Sequence, residues 1–175
     1  MLLKRLKSFV LAVLAVSIFT SCACAATIGE FEIKTLTGDA LTQEIFKDAD
    51  LTMLNVWGTF CPPCLREMPA LGELSRELKP QGVQIIGLVC DWTDRAGNQV
   101  DRQITKAKEL VIKTGADYTH ALLSPEIQKY LGNIFAVPQT YFVDAKGEII
   151  ASLTGARSKS QWEDVIFQLL EQVQR

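Results

Sequence analysis

This chain of 175 residues has only one histidine and a small net charge, and both features limit the possible functions. A formal net charge of −2 gives no electrostatic reason to expect a nucleic-acid partner. The one histidine, His120, stands alone in the sequence, so we interpret it as a structural or surface residue and expect no metal. Hydrophobic residues make up 48% and charged residues 22%, a composition typical of a globular chain with one domain.

Long hydrophobic runs are also lacking. The apolar run near the N-terminus, from Ser8 to Thr20, is too short to span comfortably a hydrocarbon core of about 30 Å. Three basic residues precede it, Lys4, Arg5 and Lys7, and this arrangement is typical of a secretory signal. We therefore predict a leader over residues 1–25, a single domain over residues 27–175, and a location outside the cytoplasm, where disulfides persist.

The end of the leader fits three interpretations. Phe19 to Cys22 resembles a bacterial lipobox, in which Cys22 carries lipid and anchors the protein to the cell membrane. Ala23 to Ala25 is alternatively a small-residue cleavage site, which would release a periplasmic protein beginning at Ala26. The third interpretation is an uncleaved N-terminal anchor. We favour lipid attachment at Cys22, because a cysteine directly after the apolar run otherwise has little use.

The hydrophobic periodicity predicts alternating strands and helices. Two nearly continuous apolar runs predict buried central strands over 51–57 and 83–90. Further strands are expected over 27–35, 118–123, 140–143 and 148–153, and helices over about 62–78, 100–114, 125–132 and from Ser158 or Ser160 onward. This order predicts an α/β sandwich with a mixed central sheet flanked by helices.

A Cys-x-x-Cys motif opens the first predicted helix directly after a buried strand. Cys61 would lie at the helix N-terminus, where free N–H groups and the helix dipole stabilise a thiolate. We therefore predict that Cys61 is the accessible attacking nucleophile and that Cys64, buried one turn later, resolves the mixed disulfide. A structural zinc half-site is the alternative, but it needs a second ligand pair, and only Cys90 and His120 remain in the predicted domain.

The motif and a second segment together resemble a known family. Trp57 to Pro69 and Ala136 to Asp144 are similar to the two signatures of the TlpA/ResA type of thioredoxin-like proteins. The resemblance covers roughly residues 27–175 and implies a thioredoxin-like sandwich. It also implies an exported or membrane-tethered thiol–disulfide oxidoreductase with no cofactor beyond the Cys61–Cys64 pair. Such proteins reduce disulfides in protein partners with electrons from a membrane thiol donor.

The resemblance also implies a substrate-binding region around the two cysteines. In the family the proline corresponding to Pro138 is cis and lies beside the disulfide, and only X-Pro bonds reach cis readily. The backbone at Val137 could then pair with an extended substrate peptide. The alternative is an ordinary trans proline that opens an edge strand. We expect Trp57 and Phe60 to form an apolar docking surface around Cys61, although Trp57 could also belong to the core.

Acid–base partners of the cysteines remain open at the level of sequence. Asn55 stands where thioredoxin itself has a buried aspartate, and it cannot take a proton. Asp91 and Asp94 follow the second central strand and are candidates to tune Cys64, or else exposed loop carboxylates. Cys90 ends that strand, and we interpret it as a small buried core residue, with a third redox thiol as the alternative.

Two other functions of the same fold stay as alternatives. A thiol peroxidase would be expected to carry a Pro-x-x-x-Thr-x-x-Cys setting, which residues 57–64 do not supply. A metal-handling module could use Cys61, Cys64 and His120, but such proteins space their cysteines by three residues rather than two. We expect the protein to act as a monomer.

Overall fold

The computed structural model describes residues 26–175. Within this range the elements, in chain order, are β1 (Glu32–Lys34), β2 (Ala40–Thr42), β3 (Leu51–Trp57), α1 (Pro62–Leu78), β4 (Val83–Val89), α2 (Asp101–Thr114), β5 (Thr119–Leu122), α3 (Pro125–Leu131), β6 (Gln139–Asp144), β7 (Ile149–Thr154) and α4 (Lys159–Val173). Short 3-10 segments at Gln43–Asp48 and Lys79–Gln81 precede β3 and β4. The leader, with Cys22, lies outside the described residues.

The central sheet has five strands in the order β5-β4-β3-β6-β7. Strands β3, β4 and β5 are parallel, whereas β6 runs antiparallel to β3 and β7 antiparallel to β6. The predicted mixed sheet is therefore confirmed, with β3 at its centre. Every residue of β3 is buried, as expected for a strand that is covered on both faces.

Alternate residues of β3 face two separate hydrophobic clusters, because successive side chains of a strand point to opposite faces. Met53 and Trp57 belong to the cluster formed with α1, α2 and α4. Leu54 and Val56 belong to the cluster on the opposite face, which β1, β2, the first 3-10 segment and α3 cover. The sheet therefore lies between two layers, with one hydrophobic cluster on each of its faces.

The N-terminal segment differs from its prediction. A single edge strand was expected over 27–35, but only Glu32–Lys34 is strand, paired antiparallel with β2. The preceding residues pair elsewhere: Ile28 N–H donates to the Gly147 carbonyl, and Ile149 N–H donates to the Ala26 carbonyl. The predicted strand is divided because its two ends bind different parts of the chain.

The helix beginnings follow the local sequence. Helix α1 begins at Pro62 as predicted, so Cys61 occupies its N-cap position. Ser158 caps α4 through a capping box with Gln161, which decides between the two predicted caps. The parallel strands β3 and β4 are in register, and β3 ends at Trp57 opposite the end of β4 at Val89. The loops that follow the two strands therefore lie at the same edge of the sheet.

Candidate active site

Cys61 and Cys64 form a disulfide in the first turn of α1. Cys61 N–H donates to the Gly58 carbonyl at 3.1 Å, which closes a turn over residues 58–61. The Cys64 N–H then donates to the Cys61 sulfur at 3.2 Å, while Pro62 and Pro63 occupy the first helical positions. A free N–H of the helix N-terminus therefore points at the sulfur that would carry negative charge when the bond is reduced.

The disulfide is covered from solvent. Cys61 is 4% exposed and Cys64 is 0% exposed, so the expectation of an accessible Cys61 is wrong for this disulfide-bonded form. The carbonyl oxygen of Val137 lies 3.6 Å from the Cys61 sulfur and covers it from the β6 side. Because a disulfide sulfur has no hydrogen, we treat this approach as a packing contact. The Val137–Pro138 peptide bond itself is cis.

Phe60, unlike the neighbouring disulfide, is exposed to solvent. Its side chain is 63% exposed, and its ring packs against Gly58, where an added Cβ would lie 2.6 Å from a ring carbon. A side chain at position 58 would therefore push the ring away. Of the two aromatic residues expected to form an apolar docking surface around Cys61, Phe60 is therefore exposed.

A groove of about 550 Å³ is lined in part by Val137, whose carbonyl contacts the Cys61 sulfur. Its lining is largely apolar: Phe60, Cys90, Leu123, Gln128, Ile134, Phe135, Ala136 and Val137. Phe135 is 91% exposed and is the most exposed large hydrophobic residue of the described chain. Cys90 lies at the groove half-buried, not fully buried as expected, and burial together with the charge of Asp91 raises its pKa to about 11. Its thiol is therefore a poor nucleophile at neutral pH.

Trp57 does not contribute to this surface. It is fully buried, and its indole N–H donates to Nδ1 of His120 at 3.2 Å. The prediction that Trp57 contacts substrate is wrong, because β3 ends beneath α1 and turns the indole into the core. His120 is also buried, and its Nε2 bonds the Ala116 carbonyl at 3.0 Å, which confirms a structural role.

Burial lowers the pKa of His120 from 6.5 to about 4. As the pH falls from 6.5 towards 4, His120 is therefore protonated in the unfolded chain but stays neutral in the folded chain. We expect this one group to remove about 3 kcal/mol of the free energy of unfolding between pH 7 and pH 4. Urea titrations at both pH values should show a smaller loss in His120→Gln, whose side chain does not titrate. An equal loss in both proteins would contradict the prediction.

The two loop aspartates have different surroundings. Asp94 is exposed and accepts hydrogen bonds from Ala96 N–H, Asn98 N–H and the Asn98 amide, all within its own turn. These bonds lower the pKa of Asp94, and they match the exposed loop carboxylate, one of the two interpretations of this residue from the sequence. Asp91 instead faces the active-site turn and accepts from the backbone N–H and hydroxyl of Thr59.

Glu67 is a buried acid that the sequence analysis missed. It is 3% exposed and follows Cys64 by one turn of α1. One carboxylate oxygen accepts from the Asn55 amide at 3.0 Å, and the other from Arg157 N–H at 3.1 Å and the Trp162 indole at 3.2 Å. Burial raises the pKa of Glu67 despite these donors. A signal was available, because position 67 falls on the buried stripe of the helix.

Asn55 links Glu67 to the strand that follows Pro138. Its amide N–H group also donates to the hydroxyl of Thr140 on β6 at 3.1 Å. The Asn55 side-chain oxygen is buried, and it has no hydrogen-bond partner within residues 26–175. The network therefore ties α1, β3 and β6 together behind the disulfide.

Neither a metal cluster nor a membrane helix is found in the part of the chain that the structure describes. Residues 26–175 contain no group of three or more metal-ligating side chains. No helix in this range is both long enough and apolar enough to cross a membrane.

Comparisons with known proteins agree with this geometry. The profile of the AhpC/TSA family matches residues 25–152. The thiol-disulfide oxidoreductase ResA of Bacillus thuringiensis subsp. konkukian is 32% identical over 136 residues, which cover 78% of this chain and 72% of the relative. The thiol:disulfide interchange protein DsbE of Vibrio cholerae is 31% identical over 150 residues, which cover 84% of this chain and 73% of the relative.

A solved structure supports the same fold. The thiol:disulfide interchange protein of Chlorobium tepidum superimposes with a TM-score of 0.69 at 20% identity. The superposition covers 83% of this chain and 97% of the other. The predicted thioredoxin-like fold is thus confirmed.

Proposed function

The chain belongs to the AhpC/TSA family of thioredoxin-like proteins and is a thiol–disulfide oxidoreductase, and on that premise we propose that it reduces disulfides in partner proteins outside the cytoplasm. One observation carries the proposal: the Cys61–Cys64 disulfide lies in the first turn of α1, with Cys61 at the N-cap. This position favours a thiolate on Cys61 once the bond is reduced.

The reaction begins from the dithiol. The Cys61 thiolate attacks one sulfur of the partner's disulfide, forms a mixed disulfide and releases the other partner sulfur as a thiolate. The Cys64 thiolate then attacks the Cys61 sulfur, the mixed disulfide breaks, and the second partner sulfur leaves as a thiolate. Two electrons have passed to the partner, and the protein ends with the Cys61–Cys64 disulfide. A membrane thiol donor would restore the dithiol by the reverse exchange, with no cofactor.

The direction of the reaction is open to a direct test. The reduced protein should convert a peptide with an intramolecular disulfide to its dithiol, and its equilibrium with glutathione gives the reduction potential. A pair that equilibrates as a stronger oxidant than glutathione, and oxidises the peptide dithiol, would contradict a reductase. If the reduced protein consumes hydrogen peroxide faster than it reduces the peptide disulfide, the result would favour the peroxidase alternative.

The location outside the cytoplasm is supported by the leader sequence of residues 1–25. We propose that the mature chain begins at Cys22 with a lipid anchor, or near Ala26 without one. Intact-mass analysis of the membrane and soluble fractions distinguishes these forms. Recovery of the full chain from Met1 in the cytoplasm would contradict export.

The apolar groove beside Val137 is the proposed binding surface for the partner polypeptide. Because the Val137 carbonyl contacts the Cys61 sulfur, a peptide that pairs with this backbone brings its cysteine to the disulfide and its neighbouring side chains to the groove. Phe60 and Phe135 flank the groove and are largely exposed, so they are available to contact an apolar side chain of the partner.

A double variant tests this surface. Phe60→Ser with Phe135→Ser should raise KM for a protein disulfide about tenfold, because two aromatic contacts are lost. The rate with hydroxyethyl disulfide, which is too small to fill the groove, should stay near that of the unchanged protein. Ile112→Ser is the matched control, since Ile112 is 81% exposed on another surface. An equal rise of KM in this control would show that the groove has no special role.

A further inference from the structure

Asp91 is fixed by three donors from two different elements. Its Oδ1 accepts from Thr59 N–H at 3.0 Å, and its Oδ2 accepts from the Thr59 hydroxyl at 2.6 Å. The Gln103 amide on α2 adds a third bond to Oδ2 at 3.2 Å. Hydrogen bonds to a carboxylate are stronger than those between neutral groups. Two of the three bonds to Asp91 come from Thr59.

Thr59 is the second residue of the turn that presents Cys61. The turn runs from Gly58 to Cys61 and is closed by the Cys61 N–H bond to the Gly58 carbonyl. Because Asp91 accepts from the backbone N–H and the hydroxyl of Thr59, it restricts the Gly58–Thr59 peptide plane and the rotamer of the Thr59 side chain. Phe60 and Cys61 follow Thr59 directly in this turn, so their positions depend on how Thr59 is held.

The loop that carries Asp91 is itself anchored. The Trp92 indole donates to the Leu123 carbonyl at 2.6 Å, and Val100 N–H donates to the Trp92 carbonyl at 2.9 Å. Asp91 directly follows Cys90, whose N–H donates to the Trp57 carbonyl at 2.9 Å. The residues on both sides of Asp91 are thus fixed by hydrogen bonds. Asp91 can therefore determine the geometry of the 58–61 turn, because its own position does not depend on that turn.

We propose that Asp91 is a positioning residue for the exchange reaction: by holding Thr59 it sets the Gly58–Cys61 turn, and with it the attacking sulfur. The proposal differs from both interpretations of Asp91 from the sequence, a carboxylate that tunes Cys64 or an exposed loop carboxylate, because both of its oxygens accept bonds from the turn or from α2. It rests on the proposed role of Cys61 as the attacking thiol.

The test compares two variants of Asp91 in the full-length reduced protein. Asp91→Ala should slow the second-order reaction with hydroxyethyl disulfide about tenfold, because a misplaced attacking atom costs rate steeply. Asp91→Asn should restore the rate to within about twofold, since its amide oxygen accepts from Thr59 N–H and its amide nitrogen donates to the Thr59 hydroxyl. The equilibrium with glutathione, measured on the same samples, should move in Asp91→Ala and return in Asp91→Asn.

Asp94→Ala is the matched control, because Asp94 lies in the same loop and binds only its own turn. Its rate should equal that of the unchanged protein, and an equal slowing would overturn the proposal. If Asp91→Ala does not fold, Thr59→Val removes the hydroxyl donor alone and should slow the reaction, whereas Thr59→Ser should not.

Three results would overturn the inference: an unchanged rate in Asp91→Ala, equal impairment in Asp91→Asn and Asp91→Ala, or an unchanged rate in Thr59→Val. Each of them leaves the proposed function intact if the unchanged protein still reduces the disulfide. Failure of the unchanged protein to react with any disulfide would instead overturn the proposed function.

Discussion

Replacing Cys61 with serine should abolish disulfide reduction, with a loss of rate of about a thousandfold or more. A serine hydroxyl at the N-cap accepts the same hydrogen bond from Cys64 N–H, so the helix should form normally. It cannot form a disulfide, however, and the exchange has no first step. The measurement is the rate of peptide disulfide reduction by the prereduced variant.

Cys64→Ser separates the roles of the two cysteines. Cys61 should still attack, but no second thiol resolves the product, so mixed disulfides with partner proteins should accumulate and be visible on non-reducing gels. Cys90→Ser is the control, and its rate with hydroxyethyl disulfide, which is too small to fill the groove, should stay unchanged because the thiol of Cys90 is mostly protonated at neutral pH. Equal trapping by Cys61→Ser and Cys64→Ser would refute the assignment of attacking and resolving thiols.

Replacing Glu67 with leucine should lower the free energy of unfolding by about 4 kcal/mol. Leucine offers no acceptor, so the Asn55 amide, the Trp162 indole and Arg157 N–H each lose a buried partner. Unsatisfied buried donors retain their full cost of desolvation, which exceeds the gain from a less polar side chain. Urea denaturation at pH 7 measures the change.

Glu67→Gln is the matched variant and should keep the network. Its amide oxygen can accept from Trp162 and Arg157, and its amide nitrogen can donate to Asn55 once that side chain turns its unpartnered oxygen inward. Since burial raises the pKa of Glu67, the folded chain holds its proton above pH 4.5, where the unfolded chain has released it. The unfolding free energy of the unchanged protein therefore falls as the pH rises through the raised pKa, relative to Glu67→Gln.

The pH comparison must use the difference between the two proteins, because His120 acts in the opposite direction over part of this range. His120 is present in both proteins, so its contribution cancels. A difference that stays constant from pH 4 to pH 8 would contradict the raised pKa of Glu67. A loss in Glu67→Gln as large as in Glu67→Leu would contradict the proposed exchange of amide partners.

The local sequence was sufficient to predict much of the fold and the position of the cysteine pair at a helix N-terminus. The apolar run of β3 and the Cys-x-x-Cys motif that follows it predict a buried strand and a helix N-terminus, and α1 begins at the expected residue. These predictions succeed because the buried run, the prolines and the helix cap act over a few neighbouring residues. The mixed sheet followed from the order of such elements.

The surroundings of the pair were decided by tertiary structure alone. The Thr59–Asp91 bonds join residues 32 positions apart, and the bond between Arg157 N–H and Glu67 joins residues 90 apart. Trp57 illustrates the same limit. Its buried indole on β3 donates a hydrogen bond to His120 on β5, and these two strands are separated in the sheet by β4. A sequence pattern reports periodicity along one segment, whereas burial, hydrogen-bond partners and pKa shifts depend on which segments the fold packs together.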